Sequence, residues 1–425
     1  MKPSFCWLCT LVLFTGSAVL RPLLAAEEEL HVRGGLPTTA ARAAAAKGEL
    51  RVAYFGGSIT AAPDGWRSLT TDYLRRQHPF LVITEISASL PGTGSDLGAC
   101  RLERDVLLQR PDLIFVEFAV NDAKTPAEQI QRTMEGIVRE IRRKLPHADI
   151  CFVYTASVHG IADLEAGNFP AAARAMETVA MHYGIPTVHF GVEVARRVKA
   201  GTLAFKAATD AASGETPVFS RDGVHPTAAG HHVYLDVVER VWPALIASQS
   251  AQATALPPPL RADNWESAGL RLISDCTRKG EWAEVALDDP GLRGATKPLL
   301  PPTYRALEAG AAIEFTFSGR KFGLLGISAP DSGKFRVTVD DLPPVIDTLF
   351  DEASSPTFCR QRAWFFPGKL SDGSHRVRVE LLAEPPDKAA IKTKAGQPID
   401  DPSVYAANRL TLSGVLIVGP PISSP

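Results

Sequence analysis

Between Leu50 and Ile246, short apolar runs alternate with helical patterns, and this alternation is what most restricts the fold. The runs are LRVAYF (50–55), LVITEIS (81–87), DLIFVEFAV (112–120), DICFVYTA (149–156) and IPTVHF (185–190). Each is rich in β-branched or aromatic residues, as a strand packed on both faces requires. Between them, Trp66, Leu69, Tyr73 and Leu74 recur at helical spacing, as do Ile130, Met134, Ile137, Val138, Ile141 and Leu145. Further helices are expected around Leu102, Val106 and Leu107, over 170–183, and from Thr227 to about Ile246. The sequence TPAE at 125–128 predicts a helix start with Thr125 as N-cap, Pro126 at the first helical position and Glu128 closing a capping box. An Ala-rich segment from Thr38 to Lys47 predicts a short helix ending near Gly48. Five strands alternating with helices imply a parallel sheet with helices on both faces, a three-layer α/β/α domain.

The pattern changes after residues 249–263, SQSAQATALPPPLRAD in context, which read as a polar, Pro-rich linker. From 264 to 425 there are many short β-like runs separated by turn-rich segments, as in an antiparallel all-β sandwich. At the other end, Lys2, an apolar run from Phe5 to Leu20 and small residues Ala25 and Ala26 read as a signal peptide over 1–26. The expectation is a secreted or periplasmic protein with no membrane contact after cleavage; a retained anchor is the alternative. The 27–248 segment is then the α/β domain.

Lys plus Arg (45) nearly balances Asp plus Glu (47), so no basic field for nucleic acid is present. Six cysteines are too few for a disulfide-built scaffold, and Cys6 and Cys9 fall inside the signal. Of Cys100, Cys151, Cys276 and Cys359, the pair Cys276–Cys359 is expected if a disulfide forms, with buried free thiols as the alternative.

Four places stand at predicted strand ends or before the last helix. These are Ser58 after Gly56-Gly57, Gly92 in PGTGSDLG, Asn121 in FAVND, and Asp222 with His225 in SRDGVHP. Alone, Ser58 is as well read as a helix cap. Together the four supply what acyl transfer needs. A serine hydroxyl requires a base, and imidazole titrates near neutrality. A carboxylate three residues before the histidine can fix its tautomer. The developing oxyanion needs donors, available from the Ser58 and Gly92 amides and the Asn121 side chain.

These blocks, in this order, resemble the SGNH/GDSL hydrolase superfamily over about residues 50–246. The serine block is FGGSIT, the glycine block SLPGTGSDLG, the asparagine block FAVND, and the last block DGVHP with D-x-x-H spacing. The resemblance implies a flavodoxin-like sheet, serine esterase chemistry, catalytic residues Ser58, Asp222 and His225, and an oxyanion hole of Ser58, Gly92 and Asn121. Gly94 is the alternative oxyanion glycine. The chain departs from the family at Gly57, where an acidic residue is usual, and at Ala119, where glycine is usual.

His231 and His232 are adjacent on a helix and face different ways, a poor metal pair. No H-E-x-x-H or CxxC is present, so neither metal nor cofactor is implied. Asp96 and Asp122 are expected to hold loops, and His159 either lines the pocket or is solvated. Trp265, Trp282, Tyr304, Trp364 and Phe365 are either core or a sugar-stacking face. The sandwich resembles the jelly-roll modules that accompany some SGNH carbohydrate esterases. The expected function is hydrolysis of O-acyl esters, O-acetyl first, on polysaccharides through an acyl-enzyme. The alternatives are a lipid or phospholipid acyl hydrolase, and a carbohydrate-binding surface protein with a residual hydrolase domain. Oligomeric state is not legible.

Overall fold

The computed structural model describes residues 28–209, 215–247 and 256–420. The signal-like segment 1–26 and residues 249–255 of the linker lie outside the described residues.

The first domain is built on strands β1 (Leu30–His31), β2 (Glu49–Gly56), β3 (Val82–Ser87), β4 (Leu113–Glu117), β5 (Asp149–Tyr154) and β6 (Thr187–His189). They lie in the order β1-β6-β5-β4-β2-β3. β2 to β6 are parallel, and their order is that of the flavodoxin-like doubly wound fold. The lead-in adds an element absent from the sequence reading: β1 pairs antiparallel with β6 at the edge.

The helices are α1 (Pro37–Ala45), α2 (Ser58–Ala61), α3 (Trp66–Gln77), α4 (Ser95–Asp105), α5 (Ala127–Lys144), α6 (Ile161–Glu165), α7 (Ala171–Tyr183), α8 (Phe190–Lys199) and α9 (Ala228–Ala247). Alternate residues of each strand enter opposite layers. Val52, Tyr54, Phe115 and Val153 pack with Trp66, Phe190, Tyr234 and Trp242 of α3, α8 and α9. Ala53, Phe55, Val116 and Phe152 pack with α4, α5 and α7 through Leu97, Leu102, Met134, Ile137 and Val179. This period of two is why the strands read as continuous apolar runs.

The capping box at 125–128 does not form. Helix α5 starts at Ala127, Pro126 holds the N-cap position, and no side chain caps it. The Thr125 amide instead donates to the Asp122 carbonyl, in a turn that continues from the end of β4.

A short parallel pair, β7 (Ala204–Lys206) and β8 (Val218–Ser220), precedes α9. The remaining strands are β9 (Ala268–Leu272), β10 (Thr277–Lys279), β11 (Trp282–Glu284), β12 (Tyr304–Ala306), β13 (Ala312–Gly319), β14 (Lys321–Ser328), β15 (Lys334–Val339), β16 (Val345–Thr348), β17 (Arg360–Phe365), β18 (Gly373–Leu381) and β19 (Leu410–Val418). They form two antiparallel sheets, β10-β13-β18-β15-β16 and β11-β12-β19-β14-β17, with β9 also on β19. Residues of both sheets, such as Phe315 and Val377 against Leu324 and Leu412, share one core.

The sandwich is packed against the α/β domain. Trp265, Ala268, Leu325, Leu416 and Val418 join the cluster that contains α4 and α5. Gly136 of α5 lets the Trp265 backbone approach so closely that a Cβ would overlap it. Around this contact, Arg139 donates to Glu266 at 2.7 Å, with both side chains buried. The Arg261 amide donates to Glu135 at 2.8 Å, so the described part of the Pro-rich segment lies against α5.

The Cys276–Cys359 expectation is corrected: Cys100, Cys151, Cys276 and Cys359 are all free and buried. Cys276 packs in the sandwich core and Cys359 in a separate small cluster with Val285 and Leu292. Of the aromatic residues, Trp265 and Phe365 pair at 5.4 Å on the side facing the α/β domain. Trp364 is buried in the sandwich core with its Nε1–H on Asp347.

Candidate active site

All four sequence blocks meet at the carboxyl end of the parallel sheet. β2 ends at Gly56, Gly57 is extended, and Ser58 opens α2. The turn is held from beneath. The buried Arg101 guanidinium lies over the Phe55 ring and donates to the carbonyls of Gly56 and Ala88. Glu117, at the end of β4, accepts from the hydroxyls of Thr60 at 2.9 Å and Thr155 at 2.8 Å, and from the Gly57 amide. Burial pushes the Glu117 carboxyl up, and those donors only partly offset it. Glu117 was not singled out from the sequence. The signal was there: one charge inside an otherwise apolar core strand.

The D-x-x-H spacing is explained by a compact turn. Asp222 Oδ1 accepts from the amides of Val224 and His225, both at 2.8 Å, and from the Ser220 hydroxyl at 3.0 Å. Oδ2 is then left to face the ring, 2.7 Å from His225 Nδ1. Gly223 supplies the positive φ of 89° that the turn needs, and its carbonyl accepts from the Val158 amide. Partial burial acts to raise the Asp222 carboxyl, but the His225 ring and the surrounding donors outweigh it and hold the group well below the usual carboxylate range. The other imidazole nitrogen, Nε2, lies 2.9 Å from Ser58 Oγ. A hydroxyl, an imidazole and an ionised carboxylate therefore form one hydrogen-bonded chain. It can move the serine proton to the ring while the carboxylate stabilises the imidazolium.

Asn121 follows β4 across a turn that brings its side chain against the Gly57 Cα, with Oδ1 on the glycine side and Nδ2 farther off. Gly92 lies exposed on the loop after β3 with φ 70°, and that loop is tied to the serine turn by the Leu90 amide on the Gly56 carbonyl. Gly94 differs from Gly92: its Cα faces inward onto Asp122, whose carboxylate also accepts from the Ser95 amide. Asp96 accepts from its neighbour Leu97. Asp122 thus holds the loop as expected, whereas Asp96 bonds within the first turn of α4.

His231 is buried, and its Nδ1 accepts from the Trp66 amide at the start of α3. Burial lowers it to about 4. His232 faces outward and meets the Ala228 carbonyl. His159 lines a cavity of about 90 Å³ with Ala119, Val120, Ser157 and His189. Among the described residues, no cluster of three or more His, Cys, Asp or Glu side chains is placed to hold a metal ion.

Residues 54–233 match the model of the GDSL-like lipase/acylhydrolase family. The match covers most of the α/β domain. The GDSL-like domain makes the chain a carboxylic ester hydrolase. Among solved structures, the whole chain is similar to a two-domain esterase, CEX, described as active on acetylated mannans. One such structure, co-crystallised with mannopentaose, matches with a TM-score of 0.70 at 19% identity, covering 93% of this chain and 100% of that one. A second structure of CEX matches with a TM-score of 0.70 at 20% identity, covering 91% of this chain and 96% of that one. The likeness establishes a shared two-domain architecture, a GDSL-like domain followed by a β-rich domain. No curated protein sequence matches the chain.

Proposed function

We propose that this GDSL-like hydrolase is an exported serine esterase that removes O-acyl groups, O-acetyl first, from polysaccharide. The observation that carries the reading is the chain of hydrogen bonds from Ser58 Oγ through His225 to Asp222. In the proposed reaction, His225 Nε2 takes the Ser58 proton as Oγ attacks the ester carbonyl. The Ser58 and Gly92 amides and the Asn121 side chain hold the oxyanion. His225 returns the proton to the leaving alcohol, leaving Ser58 acylated. Water then attacks the acyl group, giving up its proton to His225, which restores it to Ser58 Oγ.

A further observation supports an acetylated glycan as substrate. The similarity to an esterase active on acetylated mannans extends over both domains. Export rests on the amino-terminal apolar run alone.

The test is acetate release from acetylated mannan by the full mature chain and its Ser58→Ala variant. Release by the wild type, abolished in the variant, is expected. Equal release by both, or none from any acetylated glycan, overturns the reading.

A further inference from the structure

The exposed face of Gly92 is not bounded by the GDSL-like domain alone. Arg360, the first residue of β17 in the sandwich, reaches across to it. A Cβ on Gly92 would stand 3.3 Å from Arg360 Nε and 3.8 Å from its Cδ. The guanidinium is anchored at the other end, where Nη2 donates to Asp351 Oδ2 at 2.7 Å. Asp351 is itself fixed by the amides of Ala353 and Ser354 and the Ser354 hydroxyl. Arg360 Nη1 is buried with no hydrogen-bond partner among the described residues. An unpaired donor on a charged group is costly, and the same guanidinium has its Nε beside Gly92.

The chemistry of this corner is specific. Arg360 shares the Asp351 carboxylate with Arg362, which holds the guanidinium in place, and its planar N–H donors suit oxygen acceptors. An acetyl group bonded at Ser58 ends after one methyl. The part of an ester long enough to pass Gly92 and meet the guanidinium is its alcohol.

We infer that Arg360 and the Gly92 turn form a subsite for the polyol part of the ester, in which a sugar hydroxyl or ring oxygen accepts from the guanidinium. The sandwich thereby contributes a substrate-contacting residue to a site whose hydroxyl, base and acid come from the other domain. This inference rests on the reading of the chain as a carbohydrate esterase.

The experiment compares kcat and KM of the full mature chain, Arg360→Ala and Arg360→Lys on an acetylated manno-oligosaccharide and on p-nitrophenyl acetate, with melting temperatures recorded for each. Arg360→Ala should lower kcat/KM on the oligosaccharide about tenfold or more, mainly through KM, and leave p-nitrophenyl acetate within about twofold. Arg360→Lys keeps a cation for Asp351 and the melting temperature, yet loses the planar donors, and should show the same split. Equal losses on both substrates would mean that Arg360 only shapes the Gly92 turn, and no loss on either would mean that it does nothing there; each result overturns the subsite. A wild type that cleaves p-nitrophenyl acetate but no acetylated oligosaccharide would overturn the carbohydrate reading together with the subsite. Oligosaccharide cleavage unaffected by both variants would overturn the subsite alone.

Discussion

Gly57 has no room for a side chain because Asn121 Oδ1 occupies the space where its Cβ would stand. The φ of Gly57 is −97°, an ordinary value for any residue, so the requirement is purely steric. The acidic residue usual before the family's serine would not fit in this arrangement. In this chain, the asparagine amide has taken that volume.

Gly57→Ala should therefore act like Asn121→Ala, by driving the amide out of place. Both should lower kcat on p-nitrophenyl acetate roughly a hundredfold or more, the loss expected when one oxyanion donor is removed. A Gly57→Ala enzyme with wild-type turnover would show that the Asn121 side chain is free to move away without consequence.

Asp222 keeps the imidazole in one tautomer while its other oxygen binds two amides of the same turn. Asp222→Asn should preserve the turn but reverse the donor pattern towards Nδ1. Turnover should fall on the order of 10³ to 10⁴-fold with KM little changed. Steady-state kinetics on a soluble ester would measure both, and a loss under tenfold would remove Asp222 from the relay.

Glu117 ties the nucleophile turn to β5 through Thr60, Thr155 and the Gly57 amide. Glu117→Ala should cost about 2–4 kcal/mol of stability, since it leaves buried donors unpaired and opens a cavity. Glu117→Gln should recover part of that cost, because its amide oxygen still accepts from one of the threonine hydroxyls and the side chain fills the same volume. Urea denaturation of the two variants would read the difference; equal stability losses would show that these hydrogen bonds and this volume do not carry the stability.

Asp122 lies buried under the glycine loop. Burial and the charges of Asp96 and Glu117 outweigh the Ser95 donors and push its carboxyl up to about 7. In the unfolded chain it titrates near 4. Between those values the folded chain holds a proton that the unfolded chain has released, so stability from this group is greatest in acid and falls as pH rises to about 7. Melting temperatures of the wild type and Asp122→Asn should therefore diverge between about pH 4 and pH 7, with the wild type losing ground. A constant difference across that range would mean that Asp122 titrates as an ordinary carboxylate.

Much of the architecture was legible because it depends on local pattern. Tyr54, Phe115 and Val153 alternate with Phe55, Val116 and Phe152, and that alternation is what a sheet covered on both faces imposes. The edge strand Leu30–His31 was not legible, because two residues carry no period. The Thr125 capping box failed for a related reason. The sequence matched, but the turn leaving β4 had already committed the Thr125 amide to Asp122.

Local pattern along the chain is enough to specify the parallel sheet, the helices on both its faces, and the strand ends at which Ser58, Gly92 and Asn121 stand. Hydrophobic period and turn chemistry are properties of neighbours along the chain. Asp222 and His225 belong with these, because three residues are enough to build their turn. Folding in three dimensions is what puts Asn121 in the space beside Gly57, gathers donors from two other segments around Glu117, and brings Arg360 of the sandwich to Gly92. Each is a contact between residues far apart in sequence. Periodicity tells which face of an element is buried, but not which distant side chain is packed against it.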